Sequence, residues 1–174
     1  MIRVLFVCLG NICRSPMAEA VFRHMVKEAG LDGVVEVDSA GTGHWHVGEP
    51  PHEGTRRILE QKGIDWRGIR ARQVAPVDAE RFDYIVAMDA ENQGEVVRML
   101  GLHRPDGKKR PQVFRLLELV PDAPTADVPD PYYTGNFDEV YELIRAGCAA
   151  LLERIRRDLE KRQAGEDDAA DDRR

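Results

Sequence analysis

Residues 2–7 carry Ile2, Val4, Leu5, Phe6 and Val7 with a single charge at Arg3. A run this short and this continuously apolar predicts a strand buried on both faces, as in a parallel sheet. The loop Cys8-Leu9-Gly10-Asn11-Ile12-Cys13-Arg14 follows at once, and Ser15-Pro16 then reads as a helix start. Ser is favoured at the N-cap and Pro at the first helical position. Met17, Val21, Phe22, Met25 and Val26 recur at helical spacing, and Gly30 stops the helix. The first thirty residues therefore spell strand, tight loop, helix.

The same alternation continues. Residues 34–40 read as a second strand, followed by a polar, Gly-containing loop over 41–51 that includes Trp45. A helix over 52–62 has Ile58 and Leu59 inward and Gly63 as its stop. Residues 84–88 are a third strand, and Asp89 leads into a helix to about residue 100. A weaker strand covers 112–116, and residues 122–136 are a long loop rich in Pro and Asp. The longest helix spans 137–163, with Val140, Leu143, Ile144, Ala150, Leu151 and Ile155 on its inner face. Alternating strands and helices predict an α/β sandwich with a parallel sheet. One domain over residues 1–163 is expected, with an acidic, disordered tail over 164–174.

Composition narrows the class. The 174 residues include 25 Lys and Arg against 31 Asp and Glu, a net charge of −6. Nucleic-acid binders usually carry a basic footprint, so that partner is not expected. No stretch approaches the ~20 apolar residues of a membrane span, and the N-terminal run lacks a cleavage site. Three cysteines without a secretion signal fit free thiols in a reducing compartment. A soluble, cytoplasmic protein is expected.

Cys8 and Arg14 enclose five residues between a buried strand and a helix N-terminus. Ligands of open parallel sheets bind at that end of the strands. The helix N-terminus offers free N–H groups and a positive dipole end, both of which favour an anion. Gly10 permits close backbone approach, and Asn11 tolerates the left-handed conformation. A helix N-terminus and an arginine are surroundings that depress a cysteine pKa, and the thiolate is the nucleophile. Cys8 is thus placed to attack phosphorus. Arg14 offers a planar fork that matches two phosphate oxygens. Ser15 has two competing roles, N-cap or hydrogen-bond donor to the Cys8 sulfur, and both stay open. No Walker-type nucleotide loop is present.

The segment Val7-Cys8-Leu9-Gly10-Asn11-Ile12-Cys13-Arg14-Ser15-Pro16-Met17-Ala18-Glu19 resembles the signature of low-molecular-weight protein tyrosine phosphatases. The resemblance covers nearly the whole chain except the tail. It implies a three-layer sandwich with a four-stranded parallel sheet flanked by helices, and the phosphate loop after the first strand. It also implies a phosphocysteine intermediate on Cys8 with no metal or other cofactor. The implied substrate is a phosphotyrosine protein or an aryl phosphate, with inorganic phosphate as product and inhibitor.

Removing phosphate from a phenol leaves an oxygen whose conjugate acid has pKa ~10, so a positioned acid helps. Asp130, between Pro129 and Pro131, is the candidate. Taken alone, Pro-Asp-Pro is more often a turn. The run Asp130-Pro131-Tyr132-Tyr133 matches the family's general-acid loop, which implies that Asp130 is the acid and then the base. Trp45, Tyr132 and Tyr133 fall in loops, where exposed aromatics serve binding more than packing. The resemblance implies that Trp45 and Tyr132 wall a slot for a phenyl ring, with Leu9 and Ile12 beside it. Related phosphoarginine phosphatases carry threonine at the position of Ile12, so isoleucine favours phosphotyrosine.

The resemblance further implies that Ser39 helps hold Asn11, and that Cys8 and Cys13 form a reversible disulfide. One position departs: Ile69 stands where the family often has a histidine, four residues before Gln73. Part of the polar support of the loop is therefore expected to be missing or replaced. Cys148 reads as core. His44, His46 and His52 are too loosely spaced for a zinc site. Lys108-Lys109-Arg110 reads as a solvated loop. Three alternatives remain beside the tyrosine phosphatase: a phosphoarginine phosphatase, an arsenate reductase on the same fold, and a catalytically silent phosphoprotein-binding module. The reductase would need two further relay cysteines. The module would lack the nucleophile or the acid.

Overall fold

A computed structural model describes residues 1–172 apart from Pro105, Asp106, Lys108 and Lys109, with the backbone alone for 166–172. The four strands are β1 (Ile2–Cys8), β2 (Val35–Gly41), β3 (Tyr84–Ala87) and β4 (Gln112–Arg115). They form a parallel sheet in the order β2-β1-β3-β4. The helices are α1 (Arg14–Glu28), α2 (Glu53–Gln61), α3 (Asp78–Arg81), α4 (Ala90–Met99), α5 (Pro131–Thr134) and α6 (Phe137–Asp172). A 3-10 turn covers Leu116–Leu119.

The apolar run of β1 divides by pleat, since successive side chains of a strand point to opposite faces. Ile2, Val4, Phe6 and Cys8 join a core built with Met17, Phe22, Ile58, Leu59, Ile144 and Leu151. Leu5 and Val7 join the other, with Val74, Phe82, Ile85 and Val96. Helices α1, α2 and α6 thus cover one face and α4 the other, the expected α/β sandwich. Phe6 meets Phe22 edge-to-face at 5.6 Å. On α6, Val140, Ile144, Leu151 and Ile155 are fully buried, whereas Leu143 and Ala150 are half-buried.

Several helix ends follow from local chemistry. Gly30 has φ +72°, Gly30 N–H donates to Lys27 O (3.0 Å) and Leu31 N–H donates to Val26 O (2.9 Å). These two bonds satisfy the last carbonyls of α1 and need the left-handed residue that glycine supplies. Asp89 caps α4, its carboxylate accepting from Asn92 N–H at 2.7 Å.

Other ends differ from expectation. Ser15 does not cap α1: the cap position is Cys13, and no side chain bonds there. Pro16 is the third helical residue, still within the first turn, where its missing N–H costs nothing. Within the expected loop over 122–136, Pro131–Thr134 forms the single turn α5, ended by Gly135 at φ +71°. The last helix does not stop near Gln163; residues 164–172, expected to be loose, continue α6. Ala, Glu, Lys, Arg and Gln dominate residues 160–164, all good helix formers. Lys108 and Lys109 of the expected solvated run lie outside the described residues. Arg110 is half-buried and donates to Leu102 O at 2.5 Å.

Candidate active site

The chain runs from β1 to β2 on one side and then crosses to β3 on the other. The crevice above the carboxyl ends of β1 and β3 is therefore the switch point where open α/β sheets bind ligands. Cys8 ends β1, and Asp89 follows β3 by two residues. Between Cys8 and α1 the chain makes a tight loop. Asn11 sits at φ +56°, the left-handed conformation expected of it. Gly41, at the end of β2, lies so close beneath the loop that a Cβ there would stand 2.8 Å from Leu9 O. Gly43 N–H donates to Leu9 O (2.9 Å) and His52 N–H to Ile12 O (2.7 Å), which ties the loop to its neighbours.

A cavity of about 240 Å³ opens over this loop. Cys8, Ile12, Cys13 and Arg14 are its buried lining residues. Leu9, Gly10, Trp45, His46, Asp130, Tyr132 and Tyr133 complete the lining. Trp45, Tyr132 and Tyr133 are 64%, 53% and 76% exposed, which separates them from the core aromatics. Tyr132 and Tyr133 meet edge-to-face at 5.2 Å. Trp45 folds back over Gly43, where a side chain would collide with the indole.

Asn11 and Ser15, expected among the substrate-binding residues, do not line the cavity. Asn11 and Ser15 are 1% and 0% exposed and lie behind the loop. Asn11 Nδ2 donates to Ser15 Oγ (2.8 Å) and to Ser39 Oγ (3.0 Å), while its Oδ1 accepts from Arg72 N–H (3.0 Å). Ser15 Oγ stands 2.9 Å from Cys8 Sγ. Of its two candidate roles, the bond to the sulfur is the one Ser15 fills, because it lies inside α1 and not at its cap. Ile69 is buried in the main core. Ile69 makes no polar contact with Asn11, whose amide is held by Arg72 N–H, Ser39 and Ser15.

Arg14 is 3% exposed and held from two sides. Its Nη1 donates to Asp89 Oδ2 (2.6 Å) and Val128 O (2.9 Å), and its Nη2 lies 3.6 Å from Asp130 Oδ2. Burial works against the guanidinium charge, but Cys8, Asp89 and Asp130 outweigh it and raise its pKa. Asp130 caps α5, its Oδ1 accepting from Tyr132 N–H at 3.1 Å. Burial, reinforced by Cys8 and Asp130, pushes the Cys13 thiol up to about 12, against the pull of Arg14.

Two residues at the site, Asp89 and His46, carry no local signal in the sequence for their place there. Asp89 was legible as a helix cap, but its second oxygen turns to Arg14 across 75 positions of chain, which no local pattern reveals. His46 belongs to the cavity wall rather than to a metal cluster. Its ring packs on Gly10 and its Nδ1 lies 2.8 Å from Glu49 Oε2. His52 caps α2 and His44 stacks on Trp45 at 5.7 Å. Among the described residues, no three His, Cys, Asp or Glu side chains gather to hold a metal ion. No helix among them is long and apolar enough to cross a membrane.

A parallel sheet with a Cys-to-Arg loop at its switch point defines an α/β protein with a crevice above that loop. The profile of the low molecular weight phosphotyrosine protein phosphatases matches residues 3–161. The chain is 56% identical to the low molecular weight protein-tyrosine-phosphatase YfkJ of Bacillus subtilis, over 91% of this chain and 98% of that protein. It is 44% identical to PtpA of Staphylococcus epidermidis, over 91% and 96%. The crystal structure of YfkJ superposes with a TM-score of 0.85 at 55% identity, over 91% of this chain and 96% of that one. The Drosophila arginine phosphatase DARP superposes with a TM-score of 0.79 at 34% identity, over 87% and 96%. The chain belongs to the low molecular weight protein-tyrosine-phosphatases and is a hydrolase of that class.

Proposed function

We propose that Cys8, Arg14 and Asp130 carry out hydrolysis of phosphotyrosine in two steps. Arg14 and the loop amides hold the phosphoryl oxygens. The Cys8 thiolate attacks phosphorus, the bond from phosphorus to the phenolic oxygen breaks, and Asp130 donates its proton to that oxygen. Tyrosine leaves and S-phosphocysteine remains. Asp130, now a carboxylate, takes a proton from water as the water oxygen attacks phosphorus. The S–P bond breaks, freeing the Cys8 thiolate and inorganic phosphate, which also competes with substrate. Ser15 O–H donates to the sulfur in both steps.

The observation that supports this reading is the gathering of Cys8, Arg14 and Asp130 in one cavity rimmed by Trp45, Tyr132 and Tyr133. Cys8 is buried, whereas the aromatic groups that share its cavity are exposed. A substrate must therefore reach down with a long, flat side chain, which suits phosphotyrosine better than phosphoserine or phosphothreonine. The likeness to an arginine phosphatase keeps phosphoarginine as a second substrate. Ile12 in the lining is apolar and favours an aryl ring. A relay of disulfides of the arsenate reductase kind is disfavoured because Cys148 is fully buried, its Sγ 3.8 Å from Ala18 O.

The test is turnover of para-nitrophenyl phosphate, phosphotyrosine peptides and phosphoarginine peptides by the unaltered chain and Cys8→Ser. Turnover of the first two, lost in Cys8→Ser, is expected. Faster phosphoarginine turnover would overturn the substrate assignment, and activity surviving in Cys8→Ser would overturn the nucleophile.

A further inference from the structure

The support behind the phosphate loop does not end at Ser39. Ser39 Oγ stands 2.6 Å from Glu19 Oε1 on α1, and Glu19 is only 4% exposed. The other Glu19 oxygen meets the Arg23 guanidinium one turn further along the helix. Arg23 is half-exposed and also donates to Val37 O on β2 at 3.0 Å. An unbroken chain of contacts therefore runs Arg23, Glu19, Ser39, Asn11, Ser15, Cys8.

Counting hydrogens assigns the direction of each bond. Arg72 N–H fixes Asn11 Oδ1 as an acceptor, so both Nδ2 hydrogens point to Ser39 and Ser15. Each serine thus accepts from Asn11 and has one hydrogen left. Ser15 has the Cys8 sulfur to donate to, and Ser39 has Glu19. An ionised Glu19 accepts at both oxygens, from Ser39 at one and Arg23 at the other, whereas a neutral one carries a hydrogen that must face one of these two donors. Burial pushes the Glu19 carboxyl above its ordinary value, and Asp38 adds to this. Arg23 and the Ser39 bond oppose both. Asp38 is itself engaged by Arg72 at 3.0 Å.

We propose that Arg23 and Glu19 are positioning residues for the phosphate loop: the surface cation keeps the buried carboxylate ionised, and the carboxylate locks Ser39 and Asn11 beneath Cys8. The inference rests on the proposed role of Cys8. It concerns groups that touch no substrate, so it predicts a loss in kcat rather than in KM.

The experiment measures kcat and KM on a phosphotyrosine peptide, with urea unfolding as a check on folding. Arg23→Met should lower kcat about tenfold at nearly constant KM, the low end of what removing an outer partner of a functional group costs. Arg23→Lys should restore most of it. Arg57→Met removes a fully surface pair with Glu53 of the same helical spacing and should change nothing. Glu19→Gln should lose as much as Arg23→Met, and the double variant no more than either, because both act through one network. An Arg23→Met enzyme that matches Arg57→Met, a lysine that fails to rescue, or losses that multiply in the double variant would each overturn the inference. Arg23→Gln replaces Arg23→Met if the latter folds poorly. Inactivity of the unaltered chain sinks the functional reading instead, so the two failures are distinct.

Discussion

Arg14 Nη1 lies 2.6 Å from Asp89 Oδ2, across the crevice between β1 and β3. One carboxylate therefore does two jobs, since its other oxygen caps α4 through Asn92 N–H. It joins the loop after one strand to the helix after the next.

Asp89→Ala should lose both jobs and Asp89→Asn only the charge, because asparagine caps as well as aspartate. The two variants should differ by about 1 kcal/mol in unfolding free energy, the usual value of an N-cap. Both should lower kcat/KM for aryl phosphates, since Arg14 is left aimed only by Val128 O and Asp130. Urea titration and steady-state kinetics on the pair separate the cap from the ion pair.

Asp130→Ala should slow phosphotyrosine most, by roughly 10²–10⁴-fold, and substrates with good leaving groups much less. Binding of a phosphate analogue should persist. Equal losses across a series of leaving groups would remove Asp130 from the acid role.

Gly41→Ala places a methyl 2.8 Å from Leu9 O and 3.2 Å from Asn11 N. Both are backbone atoms of the phosphate loop, so neither can swing aside. The loop must move or β2 must. A stability loss of about 1–3 kcal/mol, typical of overpacking, is expected together with a fall in kcat. Unfolding and turnover of this single variant check both.

Mild peroxide should convert the Cys8 thiolate to a sulfenic acid. Attack by the Cys13 thiolate on that sulfur then forms the disulfide and expels hydroxide. The Cys13 thiol is pushed up to about 12, so little of it is ionised near neutrality. Bridging should speed up as pH rises. Oxidation of Cys8 removes one of the charges that raise Cys13, which helps the second step. Mass spectrometry of quenched samples reads the bridge; Cys13→Ser should accumulate overoxidised Cys8 instead.

Cys148 is fully buried, and burial alone raises its thiol above the ordinary 9.0. Below that value the folded and unfolded chains are both protonated, and the thiol leaves stability unchanged. Above it the unfolded chain loses a proton that the folded chain keeps, so stability falls as pH rises. The slope is about 1.4 kcal/mol per pH unit for such a thiol. Cys148→Ala should flatten the decline of unfolding free energy above about pH 9.

What the sequence determined on its own is local or periodic. The apolar run of β1 required burial on both faces, and that alone demanded helices on both sides of a parallel sheet. The spacing of Cys8 and Arg14 around Asn11 and Gly10, set against a helix start, marked the anion loop, and the loop aromatics marked its rim. The tertiary structure decided what depends on groups far apart in the chain. Asp89 reaches Arg14 only because β1 and β3 are neighbours in the sheet. The Asn11 amide points its hydrogens at Ser15 and Ser39 only because Arg72, 61 residues further on, donates to its oxygen. Glu19 looks like one more polar residue on an amphipathic helix until β2 brings Ser39 against it. Periodicity reports which face of an element is buried. The partner it meets there is set by how the sheet orders its strands.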